Sequence, residues 1–493
     1  MNGTEKKYDA VVVGAGPNGL SAAIVLARAG LSVKVLEAQP TPGGGVRSGE
    51  LTLPGFVHDL GSAIHPLAVA SPFLSRLPLA EFGLEWITPP VAAAHPLPDG
   101  RAALLMGSVA DTAERLGPDA ATYQQLFEPI IEHLPSLLPD ILGPLRWPGH
   151  PLKLAQFSLN AVQPATWLAR RFRSMEARAL WAGMAAHSIQ PLSNLTTSAI
   201  ALVLMGVGHR VGWPLPKGGA QQITQALVHY LQSLGGEVEV NRPVRSFGDL
   251  PPARAILLDL TPKSVLQLAG DRFPWLYRKQ LATYRYGPGI FKVDWALDGP
   301  IPWANPDCSR AGTVHLGGTL EEITLAEKVT YSGYHPDRPY VLLAQQSVFD
   351  DTRAPAGRHV GWAYCHVPNG STVDMTERIE QQVERAAPGF RDRILARHTQ
   401  NTKQIEAWNP NYVGGDINGG IIDVGQLYTR PTFRLTPYRT GAPGLYICSS
   451  ATPPGGGVHG MCGYQAARFA LRDCFGKDVP ADFSFHSPLP LPM

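Results

Sequence analysis

The chain has 493 residues, room for about three units at roughly 150 residues per domain, so it is neither a peptide nor a small binding module. A hydrophobic share of 44% with 17% charged residues excludes a disordered polyelectrolyte, and 42 Lys and Arg against 40 Asp and Glu, with no long cationic run, exclude a nucleic-acid partner. The five cysteines, Cys308, Cys365, Cys448, Cys462 and Cys474, are odd in number and never spaced as C-x-x-C, which indicates neither a disulfide framework nor a zinc site and fits a reducing, cytoplasmic setting. Met1 to Tyr8 is polar and carries no signal segment, and the longest apolar stretch, Ala199 to Val207, is about half of the roughly 20 residues that a spanning helix needs.

The first 40 residues predict a strand at Ala10 to Val13, a helix at Gly19 to Ala29 ended by Gly30, and a second strand at Ser32 to Glu37. Strand, glycine turn, helix and strand in that order form a βαβ unit, which opens a doubly wound α/β domain. From about Pro89 the pattern turns helical: Asp111 to His133 and Leu152 to Gln190 read as helices. The Pro-, Leu- and Trp-rich piece Leu134 to Leu152 between them reads as packed against the rest of the protein, with peripheral membrane contact as the alternative. The chain returns to α/β at Lys217. Strands are expected at Ile290 to Leu297, Pro339 to Phe349, His359 to Val367 and Leu445 to Cys448, and a helix at Tyr464 to Cys474.

Gly14-Ala-Gly16-Pro17-Asn18-Gly19 joins the first strand to the first helix, the context in which three glycines make a turn, admit a pyrophosphate and pack helix on strand. Glu37 ends the next strand, where a carboxylate can accept hydrogen bonds from a ribose diol. The pair marks a dinucleotide site. Because the chain has one strand-linked G-x-G-x-x-G, no second site for a nicotinamide cofactor is expected.

The segment after Glu37, QPTPGGGVRSGELTLPGFVHDLGSAIHPL, resembles FAD-dependent amine oxidases and phytoene-desaturase-like enzymes. The resemblance implies a Rossmann-like FAD-binding domain of the glutathione-reductase and amine-oxidase type. Gly43, Gly44 and Arg47 would lie along the FAD pyrophosphate, and Val244 would hold the adenine through its main chain. GLYICSSATPPGGGVHGMCGYQAARFAL is similar to the C-terminal flavin-contacting motif of the same group, which places Gly456, Gly457, Val458 and His459 at the flavin. One departure stands out: the strand Ala255 to Asp259 ends in DLTP, where members of the resembled group more often carry small residues and no acid. The three motif regions imply an FAD domain assembled from residues 1–90, 217–285 and 425–493, with a mixed β-sheet and helical substrate domain from 91–216 and 286–424.

Tyr284 to Trp303 resembles the substrate-domain strand of flavin amine oxidases, and Lys292 takes the place of the lysine that faces flavin N5 there. The alternative is a strand lysine whose head snorkels to solvent or is neutralised by Asp294 on the same face. His65 and His459 adjoin the two flavin motifs and are the histidines expected to face the substrate; His187 and His366 are further candidates, and Tyr364, Asn369, Asn411 and Asp416 read as structural. The expected activity is FAD-dependent dehydrogenation of a largely apolar small molecule (polyene, terpenoid or amine-like), with oxygen or a quinone as acceptor. A flavin-dependent isomerase or saturase, an amine oxidase proper and a non-catalytic flavoprotein are the alternatives. The sequence leaves the oligomeric state open.

Overall fold

The computed structural model describes residues 6–427 and 429–483. A five-stranded parallel sheet runs in the order Leu445–Ile447, Ala253–Leu258, Tyr8–Val13, Val33–Leu36, Glu237–Glu239. Tyr8–Val13 is central and almost wholly buried, which suits its adjacent β-branched residues, because helices cover a parallel sheet on both faces. Val13 pairs with Leu36 on one side and Leu258 on the other, so three strands end level and their next residues, Gly14, Glu37 and Asp259, meet at one edge. Ligands enter α/β sheets at such an edge. The helix Pro17–Arg28 begins with its proline in the first turn, where the missing N–H costs nothing, and packs on the helix Met461–Ala470. That contact brings the C-terminal glycine cluster to the N-terminal one.

A seven-stranded sheet lies beyond, in the order Ile394–Gln400, Gly289–Leu297, His359–Val367, Val341–Ala344, Ala311–Leu316, Val91–Pro96, Ala102–Met106. Its long strands alternate faces. Phe291, Val293 and Trp295 enter a core with Ile379, Val383 and Phe390, while Lys292 and Asp294 point to the opposite face beside Tyr364 and Trp362 across the antiparallel pair.

Helices Ala120–Ile141, Pro151–Ala161, Met175–Ala185 and Thr197–Val211 form the remaining layer. Two expectations for this region are corrected. The helix expected to end at His133 runs on to Ile141 through Pro129, Pro135 and Pro139, because Tyr123, Phe127, Ile130, Leu134, Leu137 and Leu138 keep one buried face at helical spacing. Packing of that face outweighs the hydrogen bonds that the prolines remove. The piece expected to be packed inside is instead partly outside, with Leu145 and Trp147 66% and 87% exposed. Among the described residues no helix is long and apolar enough to cross a membrane.

Candidate nucleotide-binding and active site

One cavity of about 690 Å³ runs from the end of the parallel sheet to the face of the seven-stranded sheet that carries Lys292. At the sheet end its wall is made of Gly14, Gly16, Pro17, Asn18, Glu37 and Gly44. The Glu37 carboxylate accepts the Ala15 N–H at 2.8 Å through one oxygen and the Gln39 N–H at 2.9 Å through the other, which fixes it facing the cavity with lone pairs to spare. Gly43 and Gly19 stand one layer back: the Gly43 N–H donates to Ala15 O at 2.9 Å, tying the second glycine loop to the first, and the Gly19 N–H donates to Asp259. A Cβ on Gly44, whose φ is +53°, would lie 3.1 Å from the Gly16 Cα, so the two loops close on each other only as glycines.

Arg47 lines the same wall. Its guanidinium lies 4.7 Å from the Trp408 ring centre and donates to Gly44 O and Trp408 O at 3.1 and 3.0 Å. Two of its five donors are thus spent, and the rest suit an anion in the cavity. Val244 lines the wall beside Leu36 and Ala38.

Asp259, the acid that departs from the resembled group, sits among these glycines. Its Oδ2 accepts the Gly19 N–H at 3.0 Å, and a Cβ on Gly16 would come within 2.8 Å of it. Burial, opposed by the Gly19 N–H and reinforced by Glu37, pushes its carboxyl up to about 7. The native carboxyl keeps its proton up to that pH, whereas the unfolded one loses it near pH 4, so the native state binds more protons between the two and stability falls as pH rises through this window. A difference of that size corresponds to about 4 kcal/mol at most. Asp259→Asn is therefore expected to flatten the fall in urea midpoint between pH 4 and 7; an unchanged slope would assign it to other groups.

At the far end Gly456, Gly457 and Val458 line the cavity with Asn418, which packs on Gly456 so closely that an added Cβ there would lie 3.0 Å from the Asn418 Cα. Lys292 is buried on this wall, its ammonium paired with the Asp294 carboxylate and 5.9 Å from the Trp362 ring centre. Burial lowers the Lys292 pKa and Asp294 works against that fall. Asp294 also faces His58 and His398, each at 3.7 Å. The snorkelling alternative for Lys292 does not describe this geometry; the neutralising one does.

His65 is buried on the cavity wall, and neither ring nitrogen has a hydrogen-bond partner among the described residues. Burial brings its pKa down to about 4, so the ring is neutral. His459 is corrected: it is not among the cavity-lining residues, and its Nδ1 accepts the Met461 N–H at 3.1 Å at the start of the last helix. The reason is local, since Gly460 at φ +67° turns the chain into the helix and the ring folds back over the first free amide.

Sequence reasoning undervalued Tyr364 and passed over Trp362. Both line the cavity, with ring centres 5.3 Å apart and planes at 87°, and their signal was the two-residue alternation of HVGWAYCHV opposite Lys292. His187 also lines the cavity, 3.0 Å from His315 through the Nε2 atoms. Asn411 lines it too, while Asp416 accepts backbone N–H groups of Gly287, Asn418 and Gly420 and holds the loop that carries Asn418.

Residues 12–77 match the NAD(P)-binding Rossmann-like domain family. Along nearly its whole length the chain is similar to pyridine nucleotide-disulfide oxidoreductase domain-containing protein 2 of Rattus norvegicus, at 26% identity over 95% of this chain and 94% of the relative. The lycopene-forming phytoene desaturase of a Paracoccus strain is 23% identical over 93% and 96% of the two chains. Among solved structures, cyclohexylamine oxidase from Brevibacterium oxydans superposes with a TM-score of 0.55 at 17% identity, covering 94% of this chain and 98% of that one. The protein is thus an oxidoreductase with a nucleotide-binding Rossmann-like domain. Its sequence is similar to that of a phytoene desaturase, and its fold is that of the amine oxidases.

Proposed function

We propose that the cavity holds FAD and that the protein dehydrogenates a largely apolar small molecule beside it, with oxygen or a quinone as final acceptor. The observation that carries this reading is the continuity of the cavity, which joins the Gly14–Gly44 cradle and Glu37 at one end to Gly456–Val458, Lys292 and the Trp362–Tyr364 pair at the other. The residues fit the group: the glycine cradle that a Cβ on Gly16 would fill leaves room for a diphosphate, Arg47 offers it donors, and Glu37 offers acceptors to a ribose. Bound FAD supplies a two-electron acceptor for hydride.

The chain's own residues do the rest. Ile64, Leu67, Leu204, Ile290 and Leu342 give the reacting end an apolar wall that excludes water and orients a hydrocarbon. Lys292, held by Asp294, keeps a proton at Nζ on that wall, and neutral His65 offers an unpartnered ring nitrogen to the proton that leaves the substrate. Among the described residues no Cys lines the cavity, and the Cys462 thiol is turned to Thr452 O and Gly455 O, which supports a flavin held without a thioether bond. Five unpaired cysteines support a cytoplasmic setting. Acid precipitation of the purified protein followed by mass analysis of the supernatant is expected to yield FAD, about one per chain. Flavin that stays with the precipitate overturns the non-covalent part, and absence of FAD from both fractions overturns the cofactor.

A further inference from the structure

We infer that the protein docks on an anionic lipid surface through residues 145–173, which comprise the helix Pro151–Ala161, the loop before it and the short helical segment after it. Leu152, Leu159 and Val162 fall on one side of that helix and its end, and they are 85%, 71% and 50% exposed, while Phe157 and Ala161 on the other side are buried. The loop adds Trp147, and the following short helix adds Trp167 at 56% exposure. Single exposed apolar side chains are ordinary, but six within residues 145–167, two of them tryptophan, are the composition of a segment that sits in a lipid interface. The loop is a built feature: the Asp140 carboxylate accepts from Arg146 Nη2 and from the Gly149 N–H, each at 2.9 Å, and so fixes the turn that presents Trp147.

Charge selects the occupant. From Ile141 to Met175 the chain carries Arg146, Lys153, Arg170, Arg171 and Arg173 and no Asp or Glu. Arg146 is paired with Asp140, whereas among the described residues the other four form no ion pair. A second copy of this face would set those cations against themselves in a two-fold contact, and phosphate headgroups complement them. The face also lies close to the cavity, because the helix packs on Thr197–Val211, whose Leu204 is part of the cavity wall. An apolar molecule dissolved in the lipid is then one helix away from the site. The inference stands whether or not FAD fills the cavity.

The test is sedimentation of the full-length purified protein with vesicles of phosphatidylcholine alone and of phosphatidylcholine with phosphatidylglycerol. The wild type is expected to pellet with the anionic vesicles, at least tenfold more tightly than with neutral ones, and to lose most of that binding in high salt. Arg170→Gln/Arg171→Gln is expected to weaken it about 25-fold, at about fivefold per cation. Trp147→Glu/Leu152→Glu is expected to abolish it with an unchanged melting temperature, and Leu159→Gln/Val162→Gln repeats the test on the far end of the same face. Failure of the wild type to pellet, equal pelleting of the variants, or a solution dimer that these substitutions dissociate overturns the inference.

Discussion

Gly16→Val is expected to purify without flavin. A Cβ at residue 16 would lie 2.8 Å from Asp259 Oδ2 and 3.9 Å from the Gly44 Cα, and the two further methyl carbons of valine would occupy the gap between the glycine loops. The neighbours cannot yield cheaply, since Asp259 is held by the Gly19 N–H at the start of a helix and Gly44 is already in contact with residue 16. The diphosphate would lose both its space and the close approach of backbone N–H groups. Affinity is expected to fall by more than about a hundredfold, and the melting temperature should no longer rise when FAD is added, because a ligand stabilises only the fold that binds it. Absorbance of the purified variant in the flavin bands reads the outcome, and retained yellow colour at full occupancy would count heavily against the cradle.

Lys292→Met is expected to keep the flavin and slow its chemistry. Lys292 stands on the seven-stranded sheet, whereas the glycine cradle is at the end of the parallel sheet, so occupancy should hold. If its proton takes part in substrate oxidation or in reoxidation by oxygen, one of the two half-reactions should slow by about 10²- to 10⁴-fold, the span usual for a lost acid-base group. Stability confounds the single variant, because removal of the ammonium leaves the Asp294 carboxylate buried without its cation, at a cost of about 3–5 kcal/mol. Lys292→Met/Asp294→Asn removes both charges. It should regain most of the lost stability while keeping the slow rate, whereas a lysine that only packs would give normal rates in the double variant.

The sequence showed most where neighbours in the chain are neighbours in the fold. Gly14 to Glu37 closes its own βαβ unit, so turn, helix and ribose acid could be read together, and the single departure at Asp259 was visible as a residue, though not as a group lodged among the glycines. The seven-stranded sheet gathers strands from residues 91 to 400, and no local pattern states that Val91–Pro96 pairs with Ala311–Leu316. Alternation in HVGWAYCHV was present in the sequence, but the importance of Trp362 and Tyr364 depends on the strand opposite. One region misled twice. Its prolines suggested a break at Leu134, where a buried stripe carries the helix on, and its apolar residues suggested an interior segment after it, where Trp147 and Leu152 face outward. His459 was placed by nearness to a motif, and one left-handed glycine after it decided the direction of the ring.

Electron transfer from an apolar substrate to the bound cofactor is tested most directly by anaerobic stopped-flow mixing of the wild type with substrate. Oxygen-free protein is mixed with a panel of polyenes, terpenoids and amines while the flavin absorbance is followed, and the products are then identified. Bleaching by one class, with a dehydrogenated product in equal amount, is the predicted result. A flavin that stays oxidised with every member of the panel, while the same protein after chemical reduction shifts a double bond without net oxidation, would contradict it.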